Sequence, residues 1–432
     1  MRQNVWRKGL SALIFVFFVF CTIPKANGSG FAVYTQGAST LGQGAATIAH
    51  TDDPSAIFWN PALMNKLQGT QIQLGTTLIF PSRKFESDIT GETVKTEPDV
   101  FFPSTFFITH KFNDKISAGL GVFNPFGLAT KWPNDWEGRY IATNSEMTTF
   151  NINPVVSYQI IPQLSFAAGL DFLLLDATLE KNINQTGILS YLMGFPFPAP
   201  DIKQKFEGDG TGIGYNFGIL LEPHRDISIG ASYRSEIKVD IDGRATHDDV
   251  NPFLSAGFPN TNGDTDITLP QQIHVGVYYK GLDPLTFEVA LRWEGWSSYD
   301  QLKISLDKPV FNSKTSVAEK DWEDTYSVSI GAKYQLNDSV ALLAGYLYGG
   351  NPIPDKTFEP AIPDANTHLF CIGTSIKQKK FKVDLAYGYQ ILQEREKNNS
   401  ITDPVSGLSA FSANGNYKSN LHLVAFSLTY IF

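Results

Sequence analysis

A chain of 432 residues could fold as two or three soluble domains or as one large closed sheet, and only 18% of its residues are charged while 13% are aromatic. Its formal net charge of −9, without any basic run, argues against nucleic acid as a partner. Its two cysteines, Cys21 and Cys371, set the first constraint on how the fold is stabilised.

The N-terminus sets the compartment. Arg2, Arg7 and Lys8 precede an apolar run over residues 9–23, and Ala26-Asn27-Gly28 offers small residues for cleavage. This is a secretory leader, 1–28, with Ser29 as the expected mature start. A membrane anchor is the alternative, but the run is short of the ~20 residues a spanning helix needs. A lipoprotein is disfavoured because bulky Phe20 precedes Cys21. Cleavage removes four of the 34 basic residues and none of the 43 acidic ones, which leaves a charge of −13. It also removes Cys21, so no intramolecular disulfide can form and stability must come from the fold itself.

Residues 29–69 are rich in Gly, Ala and Thr and lack strand periodicity. A segment of small residues ahead of a barrel is expected to act as a plug in its lumen. Beyond it, two-residue alternation dominates. Ile227, Ile229, Ala231, Tyr233, Ser235, Ile237, Val239 and Ile241 alternate with Ser228, Gly230, Ser232, Arg234, Glu236, Lys238, Asp240 and Asp242. Similar patterns begin at Leu285, Tyr326 and Phe381, and the chain ends on an alternating strand closed by Phe432.

Such strands suit an all-β, transmembrane antiparallel β-barrel of about fourteen strands over residues 70–432. They are expected near 70–81, 101–112, 115–124, 147–160, 163–180, 206–222, 225–242, 267–281, 284–306, 324–336, 338–350, 367–377, 381–394 and 420–432. Tight turns such as Asn113-Asp114 and Asn337-Asp338 alternate with long polar or Pro-rich loops, as outer-membrane barrels require.

The run Asp53-Pro54-Ser55 followed by Asn60-Pro61-Ala62 resembles the N-terminal hatch of the FadL family, which includes the toluene-uptake TodX-type channels. Gly30-Phe31, the stretch from Asn124 to Thr130 with Trp136 to Tyr140, Leu269-Pro270 with Trp293 to Tyr299, and Pro352-Ile353-Pro354 with Ile362-Pro363-Asp364 carry the rest of the likeness. The resemblance spans residues 29–432. It implies a fourteen-stranded barrel blocked by a hatch, with capture of apolar substrate outside, an internal pocket, and sideways exit where the third strand kinks. It gives Asn60, Pro61 and Ala62 a gating role and brings Phe31 to the pocket. By spacing alone, Asn60-Pro61-Ala62 is a helix end or a turn.

Import of an apolar solute needs an apolar landing site in water. The loop at 181–205 offers Ile188, Leu189, Tyr191, Leu192, Met193, Phe195 and Phe197, and the loop at 243–266 adds Phe253, Leu254 and Phe258. The alternative is that these loops pack on each other and cap the barrel. Asn124-Pro125, with Gly127 beyond it, marks a lateral opening, because proline removes a ladder donor; a plain strand end explains the same residues. Gly208, Gly210, Gly212 and Gly214 are expected to give the hatch room. Asn262 to Asp266 offers oxygens to a cation, but a solvated loop is the simpler reading.

The seven histidines are scattered, and neither a nucleophile elbow nor a metal-spaced pair stands out. The function expected is diffusion-driven uptake of fatty acids or hydrocarbons, without a chemical step or cofactor. The rivals are a water-filled porin, an outer-membrane lipid hydrolase and an adhesin. Lipopolysaccharide, outer-membrane lipids and the barrel-assembly machinery are the expected partners of a monomer. The fatty-acid members carry basic residues toward the outer end of the fifth strand. Here the stretch from Phe172 to Lys181 holds Asp176 and Glu180 with only Lys181 basic, which leaves neutral hydrocarbons open and makes Arg139 and Lys320 the fallback partners for an acid.

Overall fold

The computed structural model describes residues 30–432; the expected leader and Ser29 lie outside the described residues. Fourteen antiparallel strands follow one another around a closed sheet. They are β1 (Thr70–Ser87), β2 (Ser104–Lys111), β3 (Ile116–Phe123, resuming as Gly127–Lys131), β4 (Asn144–Ile161), β5 (Leu164–Ile183), β6 (Ile202–His224) and β7 (Ile227–Arg234, resuming as Ile237–Asp248). The ring continues with β8 (Thr261–Leu269 and Gln272–Leu282), β9 (Leu285–Glu294 and Gln301–Val310), β10 (Ser313–Glu319 and Thr325–Gln335), β11 (Val340–Gly349), β12 (Thr367–Gln378), β13 (Phe381–Leu392) and β14 (Gly415–Ile431). β1 pairs with β14 from Gln71↔Ile431 to Ser87↔Gly415, which closes the ring. Closure leaves no edge strand and satisfies the backbone within lipid.

The expected strand count and the short turns hold, but several outer ends run further than alternation indicated. β6 starts at Ile202, β8 at Thr261 and β14 at Gly415. Much of the expected 243–266 loop is therefore strand, and Asn262 to Asp266 lie in β8 rather than in a solvated loop.

Side chains alternate across the wall. In β4, Ser145, Thr149, Asn151, Asn153 and Ser157 face inward and are buried, while Phe150, Ile152, Val156 and Tyr158 face outward and are exposed. β7 departs from the single apolar face its sequence suggests. Asn216 pairs with Arg234 but Thr211 pairs with Asp240, so β7 carries one extra residue relative to β6. This bulge swaps the faces. Ile227, Ile229 and Tyr233 point outward, whereas Ile237, Val239 and Ile241 are buried inside and Lys238, Asp240 and Asp242 are exposed. The physical cause is the change of solvent along the strand: where water replaces lipid outside, apolar side chains gain by turning in.

The glycine expectation for β6 is corrected by the same packing. A Cβ on Gly210, Gly212 or Gly214 would strike Val239 or Ile237, so these glycines make room for the neighbouring strand's apolar side chains. Other glycines admit the N-terminal segment: a Cβ at Gly230 would meet the Ile48 carbonyl, and one at Gly345 the Gly44 amide.

That segment holds α1 (Ala38–Gly42), α2 (Ala56–Trp59) and a 3-10 turn, Pro61–Lys66. It touches strands on every side of the ring. Ala38 N–H donates to Ser427 Oγ of β14 at 3.0 Å, and Ile48 and Ala49 N–H donate to Glu288 of β9 at 2.5 and 2.9 Å. Asn65 Nδ2 donates to Ser157 Oγ of β4 at 2.7 Å and accepts from Ser117 Oγ of β3 at 3.0 Å. Asn60 caps the 3-10 turn by accepting from Ala62 N–H at 3.1 Å, and its Nδ2 donates to the Ile48 and Ile219 carbonyls at 2.8 and 3.0 Å. Its side chain thus joins the turn, the rest of the segment and β6.

A charge cluster, buried at Lys382, Asp53 and Asp384 and half-exposed at Asp52, adds to these contacts. Lys382 lies 2.6 Å from Asp52, 3.0 Å from Asp53 and 3.3 Å from Asp384, and Lys333 reaches Asp52 at 2.6 Å. Removing one member of a buried cluster leaves the others uncompensated, at a cost of about 3 kcal/mol. Lys382→Met is therefore expected to lower the urea midpoint with little change in slope. A loss below about 0.5 kcal/mol would show that solvent screens the cluster as it does surface pairs.

Candidate functional site

The third strand breaks where its sequence places proline. Phe123 pairs with Asn151 and Gly127 with Thr148, so three residues, 124–126, stand opposite two of β4. Pro125 has no N–H to give. Asn124 Nδ2 donates to the Thr149 carbonyl at 2.6 Å, and Thr149 Oγ1 both accepts from Phe126 N–H at 3.1 Å and donates to the Phe126 carbonyl at 2.6 Å. One threonine thereby replaces the missing ladder on the β4 side.

The opposite side of the break is taken by the N-terminal residues. Val33 N–H donates to the Pro125 carbonyl and Gly127 N–H to the Phe31 carbonyl, both at 2.9 Å. Gln36 Nε2 donates to the Asn124 carbonyl at 2.5 Å. Residues 31–33 act as a short extra strand beside β3, where β2 has already left: the β2–β3 ladder stops at Phe106↔Val122. Sequence reading missed this pairing, because residues 31–36 carry no strand pattern. Phe31 is buried in an aromatic cluster with ring centroids 4.6 Å from Trp296, 5.4 Å from Trp322 and 6.1 Å from Tyr299.

A cavity of about 600 Å³ lies at this break. Phe31, Val33 and Tyr34 bound it from the N-terminal segment, and Ile79, Pro81 and Arg83 from the inward face of β1. Its lining also takes in side chains that point away from the barrel, namely Phe102 (68% exposed) and Phe150 (45% exposed). Lining residues thus come from both faces of the wall. Ile362, Pro363 and Asp364 of the 350–366 loop cover its outer end. Asp364 accepts from Gly30 N–H at 3.0 Å, and burial pushes its carboxyl up to about 7 despite that bond and the nearby Arg395 and Arg83.

The expected landing residues divide into two groups. Leu189, Leu254 and Phe258 are buried with Ile188 and Ile202 in a small core, and Phe197 packs against it. Gln185 ties the two loops together, donating to the Pro200 and Asp249 carbonyls at 2.6 and 3.2 Å and accepting from Asn251 N–H at 2.6 Å. Around this core Leu192 (60%), Phe195 (57%) and Phe253 (72%) are exposed, with Met193 half-buried. The loops cap each other and still leave an apolar rim.

The fallback cations are engaged elsewhere. Arg139 Nε donates to Asp201 at 2.8 Å and its guanidinium lies 4.3 Å from the Tyr140 ring centroid; Lys320 is paired with Glu359. Neither lines the cavity. Asn124 and Gly127 do line it, while Asn60, Pro61 and Ala62 lie away from it in the packed segment. Arg83 and the pair Phe101-Phe102 line it as well and carried no motif that would have singled them out.

The family model for outer membrane protein transport proteins (OMPP1/FadL/TodX) matches residues 19–432. The chain belongs to the FadL family. The long-chain fatty acid transport protein of Escherichia coli O6:H1 is 25% identical over 370 residues, covering 79% of this chain and 81% of that protein. Outer membrane protein P1 of Haemophilus influenzae is 23% identical over 404 residues, covering 84% and 86%. Among solved structures, a Pseudomonas aeruginosa FadL homologue matches with a TM-score of 0.82 at 19% identity, covering 94% of this chain and all of that one. The P. putida toluene transporter TodX matches with a TM-score of 0.69 at 16% identity, covering 92% and 98%. At such identities the structural likeness speaks for the fold alone. As a FadL-family barrel with an apolar outward face, the protein belongs in the outer membrane.

Proposed function

We propose that this FadL-family barrel takes up small hydrophobic molecules by diffusion, and that they leave sideways through the wall at residues 124–129. The observation that carries the reading is the cavity at the β3 break, whose lining combines inward-facing Ile79 with outward-facing Phe102 and Phe150. Solubility favours the same route. A long alkyl chain released into periplasmic water would lose ~0.8 kcal/mol per exposed CH₂, whereas release into the membrane avoids that loss. Relatives named for long-chain fatty acid and toluene transport fit a substrate of this kind.

In this reading the segment 29–69 is the hatch and Asn60, Pro61 and Ala62 hold it in place. Deleting residues 31–62 is then expected to turn a quiet protein into a conducting one in planar bilayers. Unchanged conductance would count against a plug.

Capture begins on the exposed rim of the loop cap. Replacing Leu192, Phe195 and Phe253 by serine removes side chains each worth ~1.5–3 kcal/mol when buried by a ligand. Affinity for an alkyl detergent is expected to fall more than tenfold, while the buried Leu189–Leu254 core keeps the loops folded. Affinity held within twofold would reduce the rim to a lid.

The exit is tested by sealing it. Pro125→Val combined with cysteine cross-links from residues 101–103 to residues 127–129 should abolish uptake of labelled oleate or toluene by cells. Binding to the purified protein should persist. Normal uptake through a demonstrably cross-linked wall would favour axial passage past the hatch.

A further inference from the structure

We infer that Arg83 is a head-group site, so that the cavity takes an amphipathic monocarboxylate with its carboxylate on the guanidinium and its tail along Ile79, Phe101 and Leu128 toward the outer face of the wall. The inference rests on the uptake reading above and names the ligand chemistry that reading leaves open.

Arg83 is the one cation among the described residues that line the cavity. It follows Thr77, Ile79 and Pro81 on the inward face of β1, above the point where β2 parts from it at Ser104. Its Nη1 donates to the Ala129 carbonyl at 2.9 Å, but its Nε–H is buried without an acceptor, and among the described residues no carboxylate lies within ion-pair distance. Three other cations of the outer region are answered by acids, Arg139 by Asp201, Lys320 by Glu359 and Arg395 by Asp355, whereas Lys397 is satisfied by the Ile401 and Ser412 carbonyls and Asn414.

A half-buried guanidinium whose nearest acid, Asp364, is engaged by the Gly30 amide is poorly compensated, and its buried Nε–H without an acceptor adds to the cost. A ligand carboxylate would relieve both at once. The guanidinium presents parallel N–H donors along one edge, the geometry that receives a carboxylate in two-point contact. With Nη1 held on Ala129, the Nε edge remains for that contact.

The acids of the lining do not cancel this charge. Asp99 and Glu146 are exposed, where water screens them. Asp364 is turned to the Gly30 amide, and burial raises its carboxyl to about 7, which weakens it as a competitor near neutrality. The apolar remainder of the cavity accepts an alkyl chain, and a volume of about 600 Å³ falls within the ordinary range for small-molecule sites. The bland alternative is a staple: Arg83 would serve only to satisfy the Ala129 carbonyl, left free where β2 ends.

The experiment compares palmitate with 1-hexadecanol, a neutral chain of the same length, on the purified full-length barrel, with folding checked by heat-modifiable gel mobility. Wild type should bind palmitate about tenfold more tightly, and Arg83→Met should erase that preference while leaving hexadecanol affinity within about twofold. Arg83→Lys, which keeps the charge, should retain most of the preference. A preference that survives in Arg83→Met, or an equal loss for both ligands, would overturn the head-group assignment and leave the staple. Equal binding of both ligands by wild type would also overturn it, with the uptake reading intact. If wild type bound neither, the uptake reading itself would fall along with this inference.

Discussion

Everything in this molecule depends on one constraint: a backbone N–H or C=O facing hydrocarbon must be hydrogen-bonded by the protein itself. Closing β1 on β14 meets it for the sheet as a whole. The price is a wall without openings. Such a wall can be interrupted only by breaking the ladder and then satisfying the groups so released by other means. The β3 break does this with Thr149 Oγ1 and Asn124 Nδ2 on one side and with the backbone of residues 31–33 on the other.

How the wall meets its two solvents explains where the sequence could and could not be read. Within the membrane, alternation is a direct print of lipid outside and polar lumen inside, so the fourteen strands were countable from side-chain type alone. Above the membrane the rule inverts without leaving a mark in the pattern. The apolar residues from Ile227 to Ile241 keep one two-residue period interrupted only by Ser235, yet the bulge at Ser235-Glu236 puts half of them toward lipid and half toward the interior. Periodicity reports that a strand has two unlike faces, but not which solvent each one meets.

The site was legible where its chemistry is local. Asn124-Pro125 announced a broken strand because proline lacks a donor wherever it stands. The rim residues Leu192, Phe195 and Phe253 announced themselves as apolar side chains in polar loops. Arg83 did not, since a single arginine in a strand is ordinary until β2 is seen to leave and expose a carbonyl beside it. The glycines of β6 misled for a related reason: small residues in a strand mark a close neighbour, and only pairing shows whether that neighbour is a plug or the next strand.

The N-terminal segment is tied to the wall by two very different kinds of contact. Near the Lys382 cluster it is held by buried charges, whose pairing energy is large but which are costly to leave half-matched. At the β3 break it is held by backbone hydrogen bonds, each worth about 1 kcal/mol net, by the Gln36 and Asp364 side chains, and by Phe31 buried against Trp296, Trp322 and Tyr299. The second attachment is the one beside the cavity. A ligand that displaced residues 31–33 would therefore have to replace the aromatic contacts of Phe31 as well as the backbone bonds, while the ion cluster kept the rest of the segment in place. The two attachments of one short segment thus differ in kind, ionic around Lys382 and aromatic with backbone pairing beside the cavity.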